Sequence, residues 1–154
     1  MLTATFYHAY AKMLAKTPPS DQFSIKIVCL EKVPIVEVQL NGVPAYFILD
    51  SGSDISLLNQ TDADKYQFTL AKSSSKDLRG FSGGVQVLHH AAGISLKLND
   101  HEIKVSFYTA HLDQLVQVLK QYSSIKITGI IGLDVMKEYG FEIDYSDQLL
   151  HFNL

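Results

Sequence analysis

Residues 43–53 read VPAYFILDSGS, and this stretch decides the fold of the chain. Apolar and aromatic residues dominate it from Val43 to Leu49, which is typical of a buried strand. Asp50-Ser51-Gly52 follows as a polar turn. A carboxylate at the end of a buried strand costs free energy unless it is paired, hydrogen-bonded or protonated. Asp50 is therefore the first side chain for which the sequence demands a functional explanation.

Alternating patterns on both sides of this stretch predict further strands. Asn41-Gly42 is a strong hairpin signal and should join a strand at 34–40 to the one at 43–49. Comparable hairpins are predicted around Asn99-Asp100 and around residues 146–148, and residues 78–87 predict a glycine-rich hairpin. Another apolar strand is predicted within 125–134. The chain should therefore be mainly β, a compact sandwich or partial barrel of short antiparallel strands with peripheral helices.

Helical spacing is confined to a few segments. Residues 3–16 carry apolar side chains at helical spacing, and this predicted helix ends before Pro18-Pro19. A second helix is predicted over residues 111–122, with Leu112, Leu115, Val116 and Leu119 on one core-facing side. One β domain is therefore expected at 23–154, preceded by an N-terminal helix and a Pro-Pro linker at 1–22.

The acidic residues outside the 43–53 stretch have simpler predicted roles. Thr61 and Asp64 have the spacing of a capping box for a short helix near Tyr66. Asp134 is expected to cap another short helix that ends at Gly140. The remaining acids singled out, expected to lie in turns or at the surface, are Asp62, Asp64, Asp144 and Asp147.

Composition restricts the partners. The net charge of −3 over 154 residues argues against nucleic-acid binding and against adhesion to anionic membranes. No apolar stretch approaches the roughly 20 residues of a membrane-spanning helix. We therefore expect a soluble protein, cytoplasmic or, if a signal has been removed upstream, periplasmic. The single cysteine, Cys29, is expected to be a buried thiol because it lies in a strand-like run.

Other catalytic chemistries lack their motifs. The six histidines form no recognised metal-ligand spacing with Cys29 or a carboxylate, so no metal is expected. No G-x-S-x-G elbow, dinucleotide fingerprint or phosphate-binding loop occurs, and no cofactor is expected.

Three segments together resemble a known family. Residues 47–53, FILDSGS, resemble the apolar-Asp-Thr/Ser-Gly-Ala/Ser signature of aspartic proteases, and Gly129-Ile130-Ile131-Gly132 is similar to the element that crosses beneath that loop. Residues 79–84 fall where the flap hairpin of the family belongs. The resemblance covers roughly residues 33–154 and is nearest to the single-lobe, retropepsin-like branch, including its bacterial members.

The resemblance implies a role for individual residues. Asp50 would be the catalytic acid and base, Ser51 would brace the loops of two subunits, and Gly52 would admit the substrate backbone. Asp54 would contact the substrate main chain, although a hydrogen bond within its own turn explains it equally well. The family's Arg partner for that acid is replaced here by Leu133. Further substrate-binding residues implied are Gly80, Phe81, Gly83, Gly84 and Ile131; Phe81 is equally explained by packing.

The implied mechanism needs two carboxylates that share one proton, whereas this chain has one signature aspartate. A homodimer would supply the second Asp50 across a two-fold axis. The expected function is therefore an aspartic endopeptidase acting on peptide or protein substrates, with residues 149–154 as a candidate interface strand. The alternative is a catalytically weak or inactive peptide-binding or dimerisation module, which Ser51 and Leu133 favour.

Overall fold

The computed structural model describes residues 22–29, 31, 33–79 and 85–154, with the side chains of these residues except 29, 72–79 and 85–87. The predicted helix at 3–16, the Pro18-Pro19 linker and the predicted hairpin tip at 80–84 lie outside the described residues. The proposed division between 1–22 and 23–154 therefore stays a prediction.

The described residues form one twelve-stranded sheet system with short helices at its edges, so the mainly β prediction is confirmed. The strands are β1 Gln22–Cys29, β2 Ile35–Leu40, β3 Val43–Leu49, β4 Leu57–Asn59, β5 Thr69–Arg79, β6 Val85–Ala92, β7 Leu96–Leu98, β8 His101–Ile103, β9 Tyr108–Ala110, β10 Gly129–Ile131, β11 Glu142–Asp144 and β12 Leu149–Asn153. The α-helices are α1 Ala63–Tyr66, α2 Asp113–Lys120 and α3 Leu133–Glu138, and a 3₁₀ turn spans Gln60–Asp62.

Strand order places β3 and β10 at the centre. The main path runs β11-β12-β1-β2-β3-β10-β4-β9-β6-β5, and β7 pairs with β2 and β8. Most pairs are antiparallel, as predicted, but β10 runs parallel to β3 and β9 runs parallel to β4. These parallel pairs join segments that are far apart in the sequence. They could not be predicted from turn motifs, because a short hairpin joins only antiparallel strands.

The Asn41-Gly42 hairpin is confirmed. Leu40 pairs with Val43, and Asn41 and Gly42 have φ angles of 50° and 78°, the left-handed pair that a tight two-residue hairpin requires. Val36, Val38 and Leu40 are buried while Glu37 and Gln39 are exposed. The predicted alternation therefore holds, and it fixes which face of β2 meets the core.

Helix α2 also follows its prediction. It is shorter than the predicted 111–122, and Leu112, Val116 and Leu119 are buried, with Leu115 half-buried on the same side. These side chains pack against β2, β3 and β10, in two small clusters that include Ile48 and Ile130. The helix thereby covers the end of β3 that leads into Asp50.

Two polar residues near α1 have distant partners. The predicted capping box is wrong, because the Thr61 hydroxyl donates to the carboxylate of Asp113 at 3.0 Å and not to the α1 backbone. Asp62, predicted to lie in a turn or at the surface, lies in the 3₁₀ turn but is only 4% exposed, and it forms an ion pair of 2.8 Å with the ammonium group of Lys126. In both cases the true partner lies more than fifty residues away in the sequence.

The Asp62–Lys126 pair is unevenly buried. Asp62 Oδ1 accepts the bond from Lys126, while Oδ2 is buried with no hydrogen-bond partner among the described residues. The side chain of Lys126 is half exposed. The hydrogen bond to Asp62 is the main cause that raises the pKa of Lys126 above its ordinary value. Lys126 is thus the group that makes a buried carboxylate tolerable at this position.

We expect Lys126→Gln to lower the free energy of unfolding by about 1–3 kcal/mol at neutral pH, because it leaves the buried Asp62 carboxylate without its charge partner. Urea denaturation measures this change. Lys97→Gln, at an exposed lysine on β7, is the matched control and should stay within about 0.5 kcal/mol of the parent. Equal stability of the two variants would contradict the assigned role of Lys126.

Candidate active site

Asp50 lies where β3 and β10 run side by side. The parallel register pairs Ile48 with Ile130 and Leu49 with Ile131, and the Asp50 N–H donates to the Ile131 carbonyl at 3.0 Å. The last residues of β3 are thus tied to a strand eighty residues later. This pairing fixes the point at which the chain leaves the sheet and enters the polar turn.

The Asp50 carboxylate is held within that turn and faces solvent. The Gly52 N–H donates to Asp50 Oδ1 at 2.9 Å, and the Ser53 N–H donates to the Asp50 carbonyl at 3.1 Å. Asp50, Ser51 and Gly52 are all exposed in the single chain, although Leu49 is buried. The desolvation cost inferred from the buried strand is therefore not incurred by the chain alone; it would arise only when another surface covers Asp50.

Gly132 allows the loop of Asp50 to sit directly on the segment that follows β10. A Cβ atom at residue 132 would lie 2.6 Å from the Ile55 carbonyl oxygen and 2.7 Å from that of Ser53. The Leu133 N–H donates to the same Ser53 carbonyl at 2.7 Å. Only a residue without a side chain permits this contact. The contact therefore explains why the Gly-Ile-Ile-Gly element ends in glycine.

Asp134 does not cap helix α3 as predicted. The N-cap position is Gly132, and Asp134 lies inside the first turn, where its carboxylate accepts bonds from the N–H of Val135 and from both the N–H and the hydroxyl of Ser56. The sequence analysis had not singled out Ser56, which is fully buried. No local sequence pattern marks Ser56 as a structural residue, because its partner Asp134 is 78 residues away in the sequence.

An apolar cavity of about 400 Å³ opens beside Asp50. It is lined by Val33, Pro34, Ile48, Leu49, Asp50, Ser51, Leu115, Leu119, Ile130, Met136, Ile143 and Tyr145. Asp50 is the only ionisable carboxylate in this lining. The arrangement can hold an apolar side chain next to a carboxylate that reaches solvent.

The cavity is lined by Ile130 and not by Ile131. The side chain of Ile131 is fully buried in the main core, whereas Ile130 is 7% exposed. Successive side chains of a strand point to opposite faces, so these neighbours face different sides of β10. Ile130 is therefore a further candidate contact, and substrate binding by Ile131 stays a prediction.

The other predicted site residues are only partly described. Asp54 is exposed, four residues beyond Asp50 in the same loop. Residues Gly80, Phe81, Gly83 and Gly84 lie outside the described residues. The strands that flank them, β5 and β6, pair antiparallel up to Arg79 opposite Val85. β5 and β6 are therefore antiparallel partners, while the predicted turn at 80–84 and its action as a flap stay predictions.

Two histidines of the described segments lie within hydrogen-bond distance of serine hydroxyls. His90 Nε2 lies 2.6 Å from the Ser106 hydroxyl, and His151 Nδ1 lies 2.6 Å from the Ser24 hydroxyl. No group of three or more His, Cys, Asp or Glu side chains in the part of the chain that the structure describes could hold a metal ion. Within that same part, no helix is long and apolar enough to span a bilayer.

We expect Gly132→Ala to destabilise the chain by about 1–3 kcal/mol, because the added methyl group must displace the carbonyls of Ser53 and Ile55. Thermal unfolding would measure the loss. We expect a local change in amide hydrogen exchange at residues 50–56, since these residues carry the displaced carbonyls. An alanine variant with the stability and exchange of the parent would show that residue 132 tolerates a side chain and that the close contact is not required.

Comparison with known proteins supports the geometry. A model of a family described as aspartyl protease matches residues 36–135. The fold is similar to that of a retropepsin-like aspartic protease from Rickettsia conorii, with 20% identity, coverage of 86% of this chain and 92% of that chain, and a TM-score of 0.58. It is also similar to the EIAV protease in complex with the inhibitor HBY-793, with 21% identity, coverage of 71% and 89%, and a TM-score of 0.51. No curated protein sequence matches at a significant level.

Proposed function

This chain belongs to the aspartyl protease family and has a retropepsin-like fold, and from that premise we propose that it is an endopeptidase in which Asp50 activates water. The observation that carries the proposal is the exposed Asp50 carboxylate, oriented by the Gly52 N–H at the side of an apolar cavity. A carboxylate held in this way can approach a peptide carbonyl without first being released from an ion pair.

Peptide hydrolysis by this route needs a second carboxylate. Two closely spaced carboxylates share one proton, because like charges at short distance cannot both ionise freely. The ionised member takes a proton from water as the oxygen attacks the peptide carbonyl, and the protonated member donates to the carbonyl oxygen. Collapse of the tetrahedral intermediate then breaks the C–N bond, and a proton passes to the leaving amine. The partner copy of Asp50 is the natural second member.

The cavity suggests the chemistry of the substrate. Its walls from Ile48, Ile130 and helix α2 are apolar and lie beside Asp50 and Ser51. A large apolar side chain next to the cleaved bond would gain free energy by leaving water there. Gly52 and Asp54, both exposed in the loop, are proposed to contact the peptide main chain, and Phe81 with Gly80, Gly83 and Gly84 to close over it.

The homodimer interface requires a strand with a free edge. Residues 149–154 were the expected interface strand, but β12 already pairs with β1 on one side and with β11 on the other. It therefore has no free edge along Leu149–His151 for a partner strand. Strand β11 forms the end of the sheet path, and among the described residues its outer edge has no partner. We therefore propose β11 as the interface strand.

Position and exposure support β11 as this interface. Ile143 of β11 and the adjacent Tyr145 line the same cavity as Asp50 and Ser51. Tyr145 is 68% exposed, which is high for a large aromatic side chain. Pairing of two β11 edges about a two-fold axis would cover Tyr145 and bring the two Asp50 loops toward the same axis.

Asp50→Asn should reduce the rate of peptide cleavage by about 10³-fold or more, because the amide cannot accept the proton of the attacking water. Cleavage of a mixed peptide library at mildly acidic pH, read by mass spectrometry, measures the effect. Asp64→Asn, at an exposed aspartate of α1, is the matched control and should leave the rate unchanged. Parent-like cleavage by Asp50→Asn would refute the proposed mechanism.

A peptide-binding module with little turnover is the second candidate. It is favoured by Leu133, which cannot form the ion pair with Asp54 that the family resemblance implies. This candidate predicts that peptides bind without being cleaved and that Asp50→Asn does not alter their affinity. Equilibrium binding of the uncleaved peptides distinguishes it from the endopeptidase.

We expect Tyr145→Asp to shift the protein toward monomer in analytical ultracentrifugation and to reduce cleavage most at low protein concentration. The new carboxylate would join Glu142 and Asp144 on an edge that faces its own copy, so like charges would oppose each other. Tyr122→Asp, at another exposed tyrosine beyond the end of α2, is the control and should retain the dimer. A fully dimeric Tyr145→Asp protein would exclude this edge as the interface.

A further inference from the structure

A partly buried hydrogen-bond network joins the loop of Asp50 to the start of helix α3. The Ser56 N–H donates to Asp134 Oδ2 at 3.0 Å, and the Ser56 hydroxyl donates to Asp134 Oδ1 at 2.8 Å. The Gly132 N–H donates to the Ser56 hydroxyl oxygen at 2.9 Å. The Val135 N–H completes the network with a bond of 2.9 Å to Asp134 Oδ1.

Each hydrogen bond of this network can be assigned a donor and an acceptor. Ser56 Oγ accepts from Gly132, so its single proton is free to point to Asp134. The Asp134 carboxylate then accepts three hydrogen bonds. An asparagine in its place would turn an NH₂ group toward one of these donors. The network therefore requires a carboxylate, although an amide has nearly the same shape.

The network is the last of three successive attachments between the loop and the segment 131–134. Asp50 is bonded to Ile131 and Ser53 to Leu133 through backbone atoms alone. Ser56 is bonded to Asp134 through side chains. The first two attachments use backbone atoms and depend on glycine at residue 132, whereas the third depends on the side chains of Ser56 and Asp134.

We propose that Ser56 and Asp134 are positioning residues that hold the Asp50 loop in the geometry needed for peptide hydrolysis, a role that rests on the proposed function of Asp50. The family resemblance implies an ion pair between Asp54 and residue 133, which Leu133 cannot form. Ser56 and Asp134 would connect the same two segments in its place. The Ser56–Asp134 brace of this chain lies one residue further along α3 and is partly buried, with Ser56 fully buried and Asp134 half-buried. Burial strengthens such bonds, because water does not compete for the donors.

Asp134→Asn and Ser56→Ala test the proposal in the full chain, assayed with a cleaved peptide well below the unfolding midpoint of each variant. We expect kcat to fall about 10- to 100-fold in each, because a small displacement of a catalytic group is costly, while KM changes less than about threefold. The double variant should lose no more than the more impaired single variant, because the two side chains act as one unit.

Asp113→Asn is the matched control. Asp113 also accepts two side-chain hydrogen bonds, from Asn59 and Thr61 at 3.0 Å each, and the bond from Asn59 is the main cause that lowers its pKa. Among the described residues, its carboxylate bonds to Asn59 and Thr61 and to neither the 50–56 loop nor α3. We expect this variant to lose stability and to keep the parent kcat, which separates positioning from a general loss of stability.

Amide hydrogen exchange provides a readout that does not depend on cleavage. Loss of the brace should speed exchange at residues 52–56 by about tenfold in Asp134→Asn and Ser56→Ala, and leave it unchanged in Asp113→Asn. A parent-like kcat in both brace variants would overturn the proposal. It would also be overturned if Asp113→Asn lost as much kcat as the brace variants do. If the unaltered chain cleaves no peptide, the proposed function fails, and parent-like exchange in both brace variants would then overturn the brace separately.

Discussion

The close approach of Gly132 to the carbonyls of Ser53 and Ile55 is the contact on which the rest of this site depends. It allows the segment after β10 to pass directly beneath the loop that carries Asp50, with backbone oxygens where a methyl group would otherwise lie. The pairing of β3 with β10 and the bond from Asp50 to Ile131 then follow without distortion. Backbone geometry thus sets where the loop of Asp50 lies on the segment after β10.

Three aspartates differ in how their carboxylates are satisfied. The buried Asp62 and the half-buried Asp134 bond to distant residues, because a carboxylate removed from water needs a cation or several donors to replace its hydration. Among the described residues, the exposed Asp50 carboxylate accepts one hydrogen bond, from Gly52 in its own turn. The first two stabilise the fold, whereas the third keeps the capacity to bind a proton or to meet another carboxylate. This contrast, rather than the motif alone, makes Asp50 the reactive candidate.

The free edge of β11 and the exposure of Asp50 are complementary features. Both lie on the lining of one apolar cavity, the edge through Ile143 and the acid through its own side chain. An uncovered strand edge invites pairing with another chain, and an uncovered catalytic acid requires a second acid. Two copies of one chain could meet both requirements with a single interface. The proposed dimer is therefore an economical explanation of two features that are separate in the sequence.

The sequence by itself determined the local elements. Alternation of apolar residues and the left-handed tendency of Asn41-Gly42 were enough to predict the central hairpin, because strand period and turn type depend on neighbouring residues. Helical period was likewise enough to identify the buried face of α2. The apolar run that ends in Asp-Ser-Gly, with the later Gly-Ile-Ile-Gly, was enough to suggest the family.

Only the tertiary structure decided which distant residues meet. It placed Ile130 rather than Ile131 at the cavity, since the face of a three-residue strand depends on its pairing with β3 and β4. It gave Asp62 and Asp134 partners that no local pattern encodes, and it closed both edges of β12. Each of these outcomes depends on contacts between segments far apart in the chain. Local propensity acts over a few residues, whereas burial, pairing register and charge compensation are properties of the assembled fold.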